Sequence, residues 1–298
     1  MDHSVPSSSK SGFSKNFHTE INQGYDEEWR QVLPDLETDQ TSSFSFFLNL
    51  STSFDFLSTL CQQLNLSTET EFIAFDCLEN LLEAFLQHLT VSIDEEAAGD
   101  VEKKEIFWQE THKSFENDVP FVLFLTLSIA AKYVDAGTTF DLHKVQELVQ
   151  KVTENEFSLQ DLNEREAVLF EMMHFKVNRP VALHSVEQMM KMIYDRNVVG
   201  MKLSQFLDVG TETLRFAYLE KHKIYQKVKG DLPDESLFKK LTGDKVLLAA
   251  ATVFASCNIT NCPDAWIKQI LLQLSDTCLY KEDDIVKLGT AILQELED

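Results

Sequence analysis

The sequence contains few glycines and prolines for its length. Its 298 residues include only nine glycines and six prolines. Glycine lets a backbone wrap closely around a ligand phosphate, and few such positions exist in this chain. The composition therefore argues against a phosphate-binding loop and favours an all-α fold.

Long hydrophobic segments are also missing. The longest apolar runs, residues 121–131 and 246–257, are shorter than the ~20 residues that a membrane-spanning helix needs. Residues 1–20 are polar and serine-rich, unlike a secretory signal peptide. We therefore predict no association with a membrane.

Positive charge is scarce as well. Lysine and arginine together number 26 against 49 aspartates and glutamates, which gives a formal net charge of −23. A chain this acidic is repelled by the phosphate backbone of nucleic acids. We expect its partners to be proteins, or basic surfaces on proteins, and we expect no direct nucleic-acid binding.

Sequence motifs for catalysis are absent. The chain has no HExxH, GxGxxG, GxxxxGK[ST] or GxSxG motif, and its eight histidines are dispersed. Cys257 and Cys262 lie close together, but no nearby histidine or second cysteine pair completes a zinc site. We predict that the protein is not an enzyme and has no catalytic residue, metal or cofactor.

The cysteines themselves are odd in number and fall mostly within helical patterns. This usage predicts buried free thiols in a reducing compartment rather than a disulfide framework. The five residues are Cys61, Cys77, Cys257, Cys262 and Cys278.

What the sequence does contain is a series of helical patterns. Residues 1–43 are serine-rich and then acidic, and they predict a disordered tail whose scattered aromatic residues are either idle or anchors for a partner. Beyond them, apolar residues recur at spacings of three and four, which is typical of amphipathic helices. This spacing predicts helices at 47–66 and 72–89, the second beginning after Ser67 and Thr68.

The most hydrophobic of the early helices is predicted at 121–131. It is apolar on almost every side, which is typical of a helix at the centre of a domain. Asp118 and Pro120 predict its start, and Gly137 predicts its end.

A charged segment, residues 92–117, precedes this helix. Its composition predicts an exposed insertion that interrupts the helical array. Phe107 and Trp108 within it either pack the insertion against the core or offer a contact to a partner.

Two charged residues interrupt or directly follow apolar segments, and the sequence gives no obvious local reason for either. Lys132 directly follows the apolar run, and Glu166 interrupts an apolar stripe on a helix predicted at 159–177. The lysine is explained either by its favourable place at a helix C-terminus or by a partner. The glutamate either pairs with Arg165 or solvent, or contacts a partner. The stripe consists of Leu162, Leu169 and Met173.

The second half repeats the arrangement, because a highly apolar helix at 245–258 again lies among amphipathic ones. We interpret the chain as two five-helix bundles in tandem, over residues 44–180 and 181–298. The other helices predicted from the spacing are 143–152, 181–195, 203–218, 235–241, 264–274 and 283–296.

The order of these helices resembles the cyclin box. The third helix ends in AAKYVD (130–135), and the fifth contains LNEREAVLFEMMHFKVNRP (162–180), in which Glu166 precedes Phe175 by nine residues. Among cyclins, the chain is most similar to the divergent meiotic, crossover-site-associated group, including the cyclin N-terminal domain-containing proteins. That likeness rests on the fifth-helix motif and on KVLLAAATVFAS (245–256) followed by Trp266.

The resemblance implies tandem cyclin boxes and a function without catalysis. It implies a regulatory subunit that binds a cyclin-dependent kinase through Lys132 and Glu166. It further implies a role with meiotic recombination proteins on chromosomes in the nucleus, where the protein promotes crossover formation. The alternative from another class is a helical scaffold that binds meiotic or chromosomal proteins without a kinase.

The sequence departs from cyclins that recruit substrates. Residues 49–53, NLSTS, stand where those cyclins carry part of a hydrophobic docking groove, and Phe56 replaces the usual tryptophan. Leu50 stands at the position of an arginine that normally pairs with an acid, here Glu79. The resemblance therefore implies neither this groove nor this ion pair.

Overall fold

Helices make up all the regular secondary structure in the residues that the computed structural model describes. These residues contain no strand, which confirms the all-α prediction. None of the described helices combines the length and low charge needed to cross a bilayer. The predicted tail (1–43), Gly137 and the predicted helix 235–241 lie outside this part of the chain. The described residues are 50–97, 101–134, 140–153, 156–175, 177, 181–196, 201–229 and 243–298.

The described helices are numbered in chain order. They are α1 (Leu50–Gln63), α2 (Thr68–Ala97), α3 (Val101–Val134), α4 (Leu142–Thr153), α5 (Leu159–Met172), α6 (Ala182–Arg196), α7 (Leu203–Leu219), α8 (Lys221–Lys229), α9 (Lys245–Ile259), α10 (Asp264–Cys278) and α11 (Glu282–Glu297).

Helix α3 is the centre of the first group of helices, which consists of α1 to α5. Residues 121–131 are all buried, and α3 packs against α1, α2, α4 and α5. A helix that is apolar on every side buries most surface when neighbours surround it, so its composition accounts for its central place.

The prediction that residues 92–117 interrupt the helical array was wrong. Helix α2 continues to Ala97 and α3 already begins at Val101, so most of this segment extends the two helices. Ile93 is buried and Phe107 packs against the core, which shows that the charged segment keeps an inward-facing apolar side. The side chain of Trp108 is not described.

The predicted start of the central helix was also wrong. Pro120 lies inside α3 rather than at its first turn. Asp118 does not cap a helix there, because its carboxylate lies 3.5 Å from the guanidinium of Arg165 on α5. A proline inside a helix removes one backbone hydrogen bond, and the buried residues on both sides hold the helix together across it.

The predicted start of α2 is confirmed. The backbone N–H of Thr70 donates to the Oγ of Ser67 at 3.1 Å, so Ser67 caps the helix. Glu71 does not complete this cap, because its carboxylate pairs with Arg215 of α7.

Helix α9 is the corresponding centre of the second group of helices, which consists of α6 to α11. It packs against α6, α7, α10 and α11, and residues 247–257 are buried. Asp244 caps its start by accepting hydrogen bonds from the backbone N–H groups of Val246 and Leu247. The sequence predicted this helix and its central place.

Helix α8 was missed from the sequence. Its nine residues, KHKIYQKVK, are mostly lysine and other polar types, and only Ile224, Tyr225 and Val228 are buried. A helix this short shows little periodicity, and it forms because its apolar side packs against α7 and α11.

The two groups of helices share one continuous hydrophobic core. Helix α1 packs against α7, and the ring of Tyr218 stacks on that of Phe54 with 5.2 Å between centroids. Phe72 and Phe75 of α2 meet the same tyrosine edge-on. This aromatic cluster joins the groups where α2 faces the second half of the chain.

Candidate partner-binding site

Lys132 and Glu166 contact each other. The Nζ of Lys132, in the last turn of α3, donates to both carboxylate oxygens of Glu166 on α5, at 2.7 Å each. The sequence singled out both residues but did not predict that they form a pair, since 34 positions separate them. The packing of α3 against α5 brings them together.

The pair lies at the boundary between core and solvent. The side chain of Glu166 is 15% exposed and that of Lys132 is 42% exposed. Ser128, buried one turn before Lys132, donates its hydroxyl to Oε1 of Glu166 at 3.0 Å. The carboxylate is therefore fixed by two donors on α3, whereas the ammonium group still reaches solvent.

Arg165 does not pair with Glu166, although the two are adjacent in the sequence. Its guanidinium lies 4.7 Å from the ring centroid of Phe121 and 5.5 Å from that of Phe157. It also pairs with Asp118. Arg165 is thus held by two aromatic faces and Asp118 rather than by Glu166, and the Glu166 carboxylate binds Lys132.

The apolar stripe around Glu166 is confirmed. Leu162 and Met173 are buried, and Leu169 packs against the core. Because these three residues hold α5 on the bundle, neither Lys132 nor Glu166 is needed for the hydrophobic contact between α5 and its neighbours.

Aromatic residues lie beside the ion pair. Tyr133 follows Lys132 and is exposed. Phe170 is one turn beyond Glu166, and its ring meets that of Phe175 edge-on at 5.6 Å between centroids. Phe175 is 67% exposed. The ends of α3 and α5 therefore present a charged pair together with accessible aromatic surface.

A second group of charged residues was missed from the sequence. Lys221 of α8 pairs with Glu79 of α2 at 2.6 Å, and Lys245 of α9 pairs with Asp76 of α2 at 2.7 Å. Lys245 also lies 3.8 Å from Glu79. The available signal was the spacing of Asp76 and Glu79, which puts two acids on one side of a largely apolar stretch of α2, residues 72–82.

Burial and charge act differently on these two acids. Burial raises the pKa of Asp76 to about 6, although Lys245 opposes the shift. Burial alone would also raise the pKa of Glu79, but Lys221 and Lys245 outweigh it and hold the pKa below its usual value. The group connects the two halves of the chain rather than forming an open site.

The residues at the positions of the cyclin docking groove and its ion pair have other contacts. Phe56 is buried and its ring meets that of Phe124 edge-on at 5.7 Å. Glu79, the acid that an arginine at position 50 would have reached, is bound to lysines of α8 and α9. Position 56 is therefore part of the core.

The cysteines form no disulfide in the structure. Cys61, Cys77 and Cys257 are buried as predicted, whereas Cys262 and Cys278 are only partly buried. Among the residues described, no cluster of histidine, cysteine, aspartate and glutamate is arranged to hold a metal ion.

Comparison with known proteins gives no match: none was found to a family model, to a curated protein or to a solved structure. The contacts above are therefore the structural basis for the proposal that follows.

Proposed function

We propose that this chain is a non-catalytic, cyclin-like regulatory subunit that binds a cyclin-dependent kinase. In this proposal residues 44–180 and 181–298 are tandem cyclin boxes, centred on α3 and α9. The arrangement of two helix groups, each around one apolar helix, supports this assignment together with the motifs at 130–135 and 162–180.

The observation that carries the proposal is the partly exposed pair of Lys132 and Glu166. A lysine supplies only donors and a carboxylate only acceptors. The lysine can donate to carbonyl groups left unpaired at the C-terminus of a partner's helix, and the carboxylate can accept from free backbone amides of the segment beside it. A kinase segment that leaves or enters a helix at this surface would find both kinds of hydrogen-bonding group at one point.

The neighbouring aromatic residues supply the apolar part of such an interface. Protein interfaces are enriched in aromatic side chains at their centres, with polar groups around them. Tyr133 on α3 and Phe175, three residues beyond the end of α5, are accessible. We place the kinase contact over the ends of α3 and α5 for this reason.

We further propose that the complex acts on meiotic chromosomes in the nucleus, where it promotes crossover formation with recombination proteins. The net charge of −23 means that its chromosomal location depends on protein partners rather than on DNA. Loss of the protein is then expected to reduce crossovers and leave mitotic growth intact.

The alternative is a helical scaffold that needs no kinase. It is favoured by the fact that Lys132 and Glu166 already satisfy each other in the isolated chain. If their role is only to hold α3 to α5, they are structural residues.

A binding titration with purified cyclin-dependent kinase separates the two functions. In the complex, Lys132→Glu and Glu166→Lys each leave a group of the kinase buried without its hydrogen-bonding partner. This costs ~2–5 kcal/mol of binding free energy when a charge is involved. Each variant is expected to weaken binding about a hundredfold. Lys103→Glu, at the other end of α3, is the control and should bind like the wild type.

The double variant Lys132→Glu with Glu166→Lys distinguishes a contact from a structural pair. It restores the internal ion pair with the charges exchanged, so its thermal stability should return toward that of the wild type. Its kinase binding should stay weak, because the partner meets each charge at the wrong position. Full recovery of binding, or wild-type affinity in both single variants, would show that the pair does not contact the kinase. Absence of kinase binding by the wild type would favour the scaffold.

A further inference from the structure

Helix α9 ends in a turn that brings two cysteines together. The backbone N–H of Cys262 donates to the carbonyl of Cys257 at 3.0 Å, and that of Asn261 donates to the carbonyl of Asn258 at 2.9 Å. Asn261 has a φ of 54°. This is the Schellman arrangement, in which the side chains of the first and last residues of the turn contact each other.

The same turn ends α1 and α5, and there the contact is different. In α1 the two positions are Cys61 and Leu66, and in α5 they are Phe170 and Phe175. Each of those pairs includes a large apolar side chain. Among these three turns, only the one at the end of α9 has cysteines at both positions. A large apolar residue fills at least one position elsewhere, so the contact that closes the turn does not itself require two thiols.

The two sulfurs differ in access to solvent. Cys257 is fully buried, whereas Cys262 is partly exposed. The hydroxyl of Thr260 lies 3.6 Å from the Sγ of Cys262. A partly exposed sulfur with a buried thiol behind it and a hydroxyl beside it has the geometry of an attacking cysteine and a resolving cysteine.

The ionisation of the pair agrees with that geometry. A hydrogen bond from the Cys257 thiol, opposed by partial burial and assisted by Thr260, lowers the pKa of Cys262 to about 6. The same hydrogen bond and burial raise the pKa of Cys257. Since the thiolate is the reactive form, Cys262 is the nucleophile of the pair.

We propose that Cys257 and Cys262 form a reversible thiol–disulfide site that reacts with peroxides. The Cys262 thiolate attacks one peroxide oxygen, the O–O bond breaks, and Cys262 becomes a sulfenic acid as hydroxide leaves. The Cys257 sulfur then attacks the Cys262 sulfur, the S–O bond breaks, and the thiol proton leaves with the oxygen as water. A dithiol reductant reverses the disulfide.

Two other cysteines are internal controls for this site. Cys278 is also partly buried, but burial raises its pKa. Cys61 is buried, and burial together with the nearby Glu71 raises its pKa to about 12. Neither is expected to react early with a peroxide.

The test treats the reduced full chain with hydrogen peroxide, alkylates the remaining thiols and maps the peptides by mass. We expect a disulfide between Cys257 and Cys262, reversed by dithiothreitol, while Cys278 stays open to alkylation. In Cys257→Ala, Cys262 should stop at a sulfenic acid that dimedone traps. Thr260→Val should slow the reaction severalfold.

Two results would overturn the proposal. One is oxidation of Cys262 no faster than that of Cys278 in the wild-type chain. The other is oxidation of Cys262 without a cross-link to Cys257. Both are read from the wild-type protein, so the test stands even if a variant fails to fold.

Discussion

Arg215 and Glu71 form a bidentate ion pair between the two halves of the chain. The Nε and Nη2 of Arg215 on α7 each donate to a different oxygen of Glu71 on α2, at 2.9 Å. The side chain of Glu71 is 2% exposed. A carboxylate this deeply buried depends on its partner, because few other donors can reach it.

Arg215→Met is therefore expected to lower the free energy of unfolding by ~3 kcal/mol, since it leaves the Glu71 carboxylate buried without its cation. Chemical denaturation measures this change. Glu212→Gln is the matched control: Glu212 also pairs with Arg215 but is exposed, so its loss should cost less than ~1 kcal/mol. Equal costs for the two variants would contradict the importance of burial.

Asp76 makes stability depend on pH. Its pKa is about 6 in the folded chain against a usual 3.8, so the folded state holds this proton more tightly than the unfolded state. Its contribution to stability is full below ~3.8 and is lost as the pH rises through ~6. The lowered pKa of Glu79 acts in the opposite sense: the contribution of Glu79 to stability is present above the usual 4.5 and is lost as the pH falls below that value.

Asp76→Asn should accordingly remove part of the pH dependence between about 4 and 6. The unfolding free energies of variant and wild type, measured across this interval, should converge at the acid end and separate in favour of the variant toward pH ~7. Asp283→Asn, at an exposed site in the first turn of α11, is the control for removing one carboxylate. A parallel curve for Asp76→Asn would show that this carboxyl does not titrate there.

Two glycines allow close approach between helices. A Cβ at Gly289 of α11 would lie 3.0 Å from the carbonyl oxygen of Ala251 and 2.5 Å from a ring carbon of Phe254. A Cβ at Gly210 of α7 would overlap chiefly with the flexible end of Met190. Backbone cannot move aside as a methionine can.

Gly289→Ala should therefore destabilise the protein by ~1–3 kcal/mol, despite the ~1 kcal/mol by which alanine favours a helix. Gly210→Ala should be closer to neutral. Thermal and chemical denaturation of both variants check the order, and the prediction fails if Gly210→Ala is the more damaging change.

Leu279 ends α10 in a conformation that leucine disfavours. Its φ is 61° and its side chain is 89% exposed, so strain is present without compensating burial. Leu279→Gly should raise the free energy of unfolding by ~0.5–1 kcal/mol, because the left-handed penalty exceeds the added freedom of the unfolded glycine. Asn65→Gly, at a φ of 54°, should gain less, because asparagine tolerates this region.

The local pattern predicted most helices because it depends on neighbours in the sequence. The central places of α3 and α9 followed from their uniform apolar character, which only burial on all sides explains. Pro120 predicted a helix start because proline favours the first turn of a helix, whereas α3 continues through it between the buried residues Val119 and Phe121. Helix α8 was missed because its three apolar residues are too few to show the helical spacing of three and four.

The charged contacts were less predictable than the helices. The sequence marks Lys132 and Glu166 as unusual positions and leaves a local role or a partner contact open for each, but it does not predict that they bind each other. Asp76 and Glu79 were not recognised as a pair of buried acids, since their lysines lie in the other half of the chain. Long-range pairing depends on how helices pack, which spacing along one helix does not encode.

The acids on α2 join residues that are far apart in the chain. Glu69 meets His184 across 115 positions, and Glu79 meets Lys221 across 142. Closing such long loops costs entropy before the contacts are made, so we expect these pairs to form after the helices of each half have packed. Interactions absent from the folding transition state act mainly on the unfolding rate. We therefore expect the acids on α2 to affect the unfolding rate of the chain more than its folding rate.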